Sequence, residues 1–272
     1  IGTSSSHTMG PWRAALSFLN HLNKNKQINE VTEIKTYLYG SLAKTGLGHG
    51  TDKAVMLGLS NEDFLTIDTD KIDEKIDQIN QNACINISES HAIPFNYKQH
   101  ILFEFKKSLD YHPNGMRFDA SLSDGTTVSR EYFSVGGGFV VTHASDQIAQ
   151  NPIKTEYPCH TQKDLLDNCN KLNLTISELV MLNETAWQSE TETRKQALNI
   201  WNEIKNCIFR GVNKSGLLPG GLKVRRRAYD LNKKFLQGQK FNNVADWIKA
   251  IKKGPKDFNT VNKWISVFAL AV

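Results

Sequence analysis

Apolar residues recur at helical spacing from Trp12 through Ala15, Leu16, Phe18 and Leu19 to Leu22, which predicts a helix over 11–24 with one buried stripe. The polar run Asn23-Lys24-Asn25-Lys26 ends it. Val31 to Tyr39 is rich in β-branched and aromatic residues and roughly alternates, so it reads as a strand closed by Gly40. Residues 41–50 carry three glycines and read as a loop. Ala54, Val55 and Leu57 restore helical spacing over 51–59, and further strands are expected at 64–67, 100–106 and 116–122. Asp124-Gly125 is a strong turn signal, so 116–122 and 126–135 read as a hairpin. Gly136-Gly137-Gly138 interrupts the extended stretch 132–141, either as a bend or as a place where backbone approaches another surface or a ligand.

Past residue 142 the pattern changes. Residues 143–162 are polar, contain Pro152 and Pro158, and read as a linker. Helices are expected at 163–169, 176–187 and 193–210, with Thr175 or Ser177 capping the second and Thr191 opening the third. Pro219-Gly220-Gly221 breaks the pattern, which resumes at 244–251 and 261–272. Trp187, Trp201, Trp247 and Trp264 fall on helical stripes and are expected in the core. The chain therefore divides into an α/β part, 1–142, and a mostly α-helical part, 163–272, which suits its 272 residues.

Charge narrows the partners. The 33 basic and 28 acidic residues leave a net +5, and within the basic cluster that opens at Lys223, Arg225, Arg226 and Arg227 are better read as ion pairs within their domain than as facing an anionic ligand. No basic face with interleaved aromatics occurs, which argues against a nucleic acid partner. No apolar run approaches the roughly 20 residues of a membrane span and no secretory segment opens the chain, so a cytoplasmic protein without a membrane partner is expected. Cys84, Cys159, Cys169 and Cys207 are dispersed without a CxxC pair, which predicts reduced, partly buried thiols and no metal ligands in this chain.

Two segments carry candidate chemistry. Ser4, Ser5, Ser6, His7 and Thr8 crowd ahead of the first helix, where their hydroxyls and the helix N–H groups suit an anionic ligand such as a carboxylate or phosphate. The same residue types also suit an N-cap. His49 follows Gly46-Leu47-Gly48 and precedes Thr51 and Asp52, which can cap the next helix while orienting the ring. An imidazole exchanges protons near neutral pH, so His49 is the candidate catalytic residue and His7 is assigned to substrate binding. His21, His91, His100, His112, His143 and His160 are given no functional role.

Several segments taken in order carry a resemblance. Ser4-Ser5-Ser6-His7-Thr8-Met9-Gly10-Pro11 resembles the GPSSSHT signature of the bacterial iron-sulfur L-serine dehydratases (L-serine ammonia-lyases), with Thr3 in place of the usual proline. Tyr39 to Asp52 is similar to that family's YGSLAxTGKGHxTD segment, with Leu47 replacing its lysine. Pro113-Asn114-Gly115-Met116 resembles its NGM turn and Tyr132 to Val140 its YYSVGGGF. Asn183-Glu184, Gly216 to Leu222, Arg226-Arg227-Ala228 and Phe268 to Val272 follow in the expected order.

The resemblance implies an N-terminal α/β domain similar to the allosteric substrate-binding domain of phosphoglycerate dehydrogenases, followed by an incomplete helical catalytic domain. It implies conversion of L-serine to pyruvate and ammonia by a 4Fe-4S cluster acting as Lewis acid, without pyridoxal phosphate, in an expected homodimer. It further implies His49 as proton-transfer residue, with Ser4, Ser5, Ser6, His7, Thr8, Thr51, Asp52 and Asn114 about the substrate. None of the four cysteines matches a cluster ligand, so the chain is expected to be a fragment, inactive alone, of a longer enzyme. A non-catalytic amino-acid-sensing module is the alternative, although a free-standing sensor has no need of residues 163–272. A phosphate-binding transferase ranks last, because no Walker-type lysine pattern occurs.

Overall fold

The structure is a computed structural model that describes residues 5–142, 154–218 and 223–272. These form two compact units, one from residues 5–142 and one from residues 154–218 and 224–272. Ser4, His143, most of the expected linker and Pro219-Gly220-Gly221 lie outside the described residues.

In the first unit a π-helical turn, Ser5–Met9, runs directly into helix α1, Gly10–Lys24. The apolar stripe of α1 faces inward, with Trp12, Ala14, Ala15, Phe18, Leu19 and Leu22 all buried. Strand β1, Val31–Tyr39, is followed by α2, Gly40–His49, and α3, Thr51–Leu59. Helix α4, Ile72–Asn82, leads into a separate two-stranded sheet of β2, Cys84–Ser88, and β3, His91–Pro94. A short helix α5, Tyr97–His100, precedes β4, Ile101–Glu104. The antiparallel strands β5, Gly115–Leu122, β6, Thr127–Gly136, and β7, Phe139–Val141, complete the unit.

The main sheet has the order β4-β1-β5-β6-β7. Strand β1 pairs parallel with β4 and antiparallel with β5, in a register that sets Leu38 beside Phe103 on one side and Met116 on the other. One continuous apolar core joins sheet and helices, and within it Phe18 of α1 stacks on Phe118 of β5 with ring centroids 5.3 Å apart. Asp124-Gly125 makes the expected turn between β5 and β6, with Gly125 at φ +83°. The glycine triple turns β6 into β7 with all three residues at positive φ, a conformation that L side chains adopt at a cost.

Two expectations about this unit need correction. Residues 64–67 form a turn and an irregular stretch, not a strand, with Phe64 and Ile67 packed individually against the core. Residues 41–49 are helical despite Gly46 and Gly48, because α2 buries Gly40, Leu42, Ala43 and Gly46, and burial of a face outweighs weak intrinsic propensity. Helix α4 and the β2-β3 hairpin were not anticipated, although Ile72, Ile76 and Ile79 carry the helical spacing and Ile85 and Ile87 the alternation.

The second unit is helical. It comprises α6, Gln162–Leu172, α7, Ile176–Glu184, α8, Glu190–Asn213, α9, Arg227–Phe235, α10, Val244–Lys253, and α11, Phe258–Ala271. Thr175 caps α7 in a reciprocal arrangement with Glu178, as its position suggests. Ser189, not Thr191, caps α8. Trp247 and Trp264 lie in the core with Ile208, Val212 and Val267, and the Trp247 indole N–H donates to Asn232 Oδ1 at 2.9 Å. Trp187 and Trp201 do not: they are 53% and 50% exposed, Trp187 because α7 ends at Glu184 and leaves it in the turn that follows, and Trp201 on a solvent-facing side of α8. Arg225 forms the expected internal ion pair, with Asp230 at 2.7 Å. Among the described residues no helix is long and apolar enough to cross a membrane.

Candidate functional site

The end of β1 and the start of α1 build the site together. Gly40 leaves the strand at φ +52° and donates its N–H to the Lys107 carbonyl, while the Ser41 N–H donates to the Pro113 carbonyl. This turn aims Ser41, at the start of α2, toward the π-helical turn. The Ser41 hydroxyl lies 2.9 Å from His7 Nε2, and the Ser6 hydroxyl lies 2.9 Å from His7 Nδ1. A neutral imidazole has one N–H and one acceptor nitrogen, so one serine donates to the ring while the other accepts and keeps its own O–H available.

Helix α2 carries His49 as its last residue, and Gly50, left-handed at φ +66°, separates it from α3. Its ring centroid lies 5.1 Å from that of His7, with the planes tilted by 51°. Two hydroxyls lock the backbones together. Thr8 donates to the His49 carbonyl at 2.8 Å, and the buried Thr51 donates to the His7 carbonyl. Behind them, Gly10 accepts the fully buried Ser134 of β6 so closely that a Cβ at position 10 would lie 2.0 Å from Ser134 Oγ. Gly138 of the β6-β7 turn lies near Met9, but a Cβ there would sit 3.4 Å from the Met9 Cβ, an ordinary contact.

The expected site residues thus separate into two groups. Ser6, His7, Thr8, His49 and Thr51 converge. Ser5 opens the π-helical turn. Asp52 accepts instead from the Tyr97 hydroxyl of α5 at 2.8 Å, and burial together with that carboxylate pushes the Tyr97 phenol far up, keeping it protonated. Asn114 ties β5 to β6: its side-chain amide donates to the Ser134 carbonyl at 3.1 Å, and its carbonyl accepts the Ser134 N–H at 3.0 Å. Neither Thr51 nor Asp52 caps α3, and His49 ends a helix where a loop was expected. Ser41 and Tyr97 were not anticipated, although a serine directly after a strand-ending glycine is a visible signal for Ser41.

Burial lowers the His7 pKa below its ordinary 6.5, the neighbouring His49 lowers it further, and a backbone hydrogen bond with Ser41 opposes them. The unfolded chain then binds this proton at higher pH than the folded one. Stability is fully present above about pH 6.5 and is lost as the pH falls from there toward the depressed folded value. His21 shifts the same way, through burial and the charges of Arg130 and Lys24. His7→Gln is expected to flatten, without abolishing, the fall in urea midpoint between about pH 7 and 5. Equal slopes in the two proteins would mean that His7 titrates normally.

Among the described residues no three His, Cys, Asp or Glu side chains gather as a metal ion requires. Cys84 lies on β2 of the first unit, whereas Cys159, Cys169 and Cys207 belong to the second, where Cys159 is exposed rather than partly buried. This donor set does not fit a 4Fe-4S cluster, which takes closely grouped thiolates.

An α/β unit that holds two adjacent imidazoles by hydroxyl contacts at helix ends is a candidate acid–base site. The first 145 residues match the serine dehydratase beta chain family, and the chain belongs to it. Its relatives include an L-serine dehydratase of Streptomyces coelicolor, 40% identical over 253 residues that cover 91% of this chain and 56% of the relative. L-serine dehydratase 1 of Escherichia coli is 34% identical over 274 residues, covering 100% of this chain and 57% of the relative. An L-serine dehydratase of Mycobacterium bovis is 37% identical over 256 residues, or 92% and 55% respectively. The chain spans little more than half the length of these relatives.

Proposed function

We propose that this chain serves in the deamination of L-serine to pyruvate and ammonia, an iron-sulfur type of β-elimination in which His49 and His7 handle protons. The observation that carries the reading is the pair of imidazoles 5.1 Å apart, built from the two motifs most like those of the dehydratases. The thiols of this chain do not fit the cluster, so each step here belongs to the unit's own side chains.

Elimination requires a base for the Cα proton and a proton for the departing hydroxyl. His49 accepts the Cα proton. Burial holds His7 neutral at pH 7, so His49 gains its charge without a second cation beside it. His49, now an imidazolium, gives that same proton to the β-hydroxyl, which leaves as water, giving aminoacrylate and the free base again. That product tautomerises to an imine, and one water then displaces ammonia to give pyruvate, so the water lost is regained. Ser6 and Thr51 keep His7 in place, and Thr8 holds the end of α2 that carries His49.

The expected result is stoichiometric pyruvate and ammonia from L-serine by the intact gene product. Absence of both products in an anaerobic preparation that binds L-serine would refute the reading.

A further inference from the structure

Two of the converging hydroxyls are closed to the substrate carboxylate. Thr8 and Thr51 each have one O–H, already donated to a backbone carbonyl. Ser41 also lines a depression of about 350 Å³, together with Lys44, Phe105, Lys106, Lys107 and Ser108 among others. None of its lining residues is acidic. Lys107 pairs with Glu104 at 3.1 Å, whereas Lys44 and Lys106 have no ion-pair partner among the described residues. Its volume is at the small end of the range for ligand pockets, and unpaired ammonium groups on a concave wall attract a small anion.

Ser41 belongs to this wall and to the imidazole pair alike, through its contact with His7 Nε2. When the ring donates to Ser41, the serine's own O–H turns outward, so a bound carboxylate and the neutral ring share one hydroxyl. We propose that this depression is the carboxylate subsite for the amino acid, with Lys44 and Lys106 supplying charge and Ser41 fixing the anion beside the imidazoles. The proposal rests on the reading of the site as one that acts on an amino acid.

Calorimetric titration of the 272-residue chain with L-serine at low ionic strength tests it, since exposed ammonium groups are screened by salt. The K44Q/K106Q variant should bind L-serine about tenfold or more weakly, with its circular dichroism unchanged. Serinamide, which lacks the carboxylate, should bind the unaltered chain as weakly as L-serine binds the variant, and acetate should compete with L-serine. An affinity for L-serine that survives in K44Q/K106Q, or a serinamide affinity equal to that of L-serine, overturns the subsite. Competition by inorganic phosphate without competition by acetate overturns it as a carboxylate site.

The two readings fail separately. Turnover of L-serine by the intact gene product with an unchanged KM in K44Q/K106Q refutes the subsite and keeps the reaction. Affinity lost in K44Q/K106Q, in a protein that forms no pyruvate, refutes the reaction and keeps the subsite.

Discussion

In the intact gene product, His49→Ala is expected to lower pyruvate formation from L-serine by about 10²- to 10⁴-fold, the range for loss of a general acid or base. The loss should fall on kcat more than on KM, because the imidazole acts on the Cα proton and the substrate's charged ends are held elsewhere. The fold should survive. The contacts that join α2 and α3 to the π-helical turn run through Ser41, the His49 carbonyl and Thr51, and alanine at position 49 keeps all three. The check is steady-state turnover beside a thermal melt of the same variant. Near-normal turnover would remove His49 from proton transfer and pass that role to His7 or to a group outside this chain.

Gly40→Ala should cost about 2–5 kcal/mol of stability, a large share of the roughly 5–15 kcal/mol that holds a domain together. A Cβ at this position would lie 2.3 Å from the Pro113 carbonyl oxygen and 3.2 Å from its carbon, both backbone atoms that cannot rotate aside. The left-handed φ of +52° adds strain of its own. The same shift would break the Ser41 N–H contact with Pro113 and draw the Ser41 hydroxyl away from His7. Urea unfolding of variant and parent, read at 25 °C, measures the stability term. A loss below about 1 kcal/mol would show that the Pro113 turn yields, leaving Gly40 without the steric role given to it.

Where one face of an element is buried and its sequence is regular, that element was legible. The stripe of α1, the alternation of β1, the Asp-Gly turn between β5 and β6, and the Thr175 cap of α7 each rest on contacts within a few residues. Local reading went wrong where a distant partner supplies the energy. Helix α2 contains residues that disfavour a helix in isolation, yet it forms because Leu42, Ala43 and Gly46 are covered by the rest of the unit. Trp187 and Trp201 have the spacing of core residues, yet both are half exposed, Trp187 in the turn after α7 and Trp201 on α8.

The site divides in the same way. The sequence by itself determined which side chains are present for proton transfer and anion binding, and that they sit in two short segments rich in hydroxyls, glycine and histidine. Only the tertiary structure decided how they meet. His7 reaches Ser41 across 34 positions of the chain, Thr8 reaches the His49 carbonyl across 41, Thr51 reaches the His7 carbonyl across 44, and Tyr97 takes Asp52 away from this group across 45. Such pairings depend on how α1 packs against α3 and against strands β5, β6 and β7 of the sheet. The physical reason is that a hydroxyl or imidazole bonds equally well to many partners, and burial of the shared apolar core selects the one within reach.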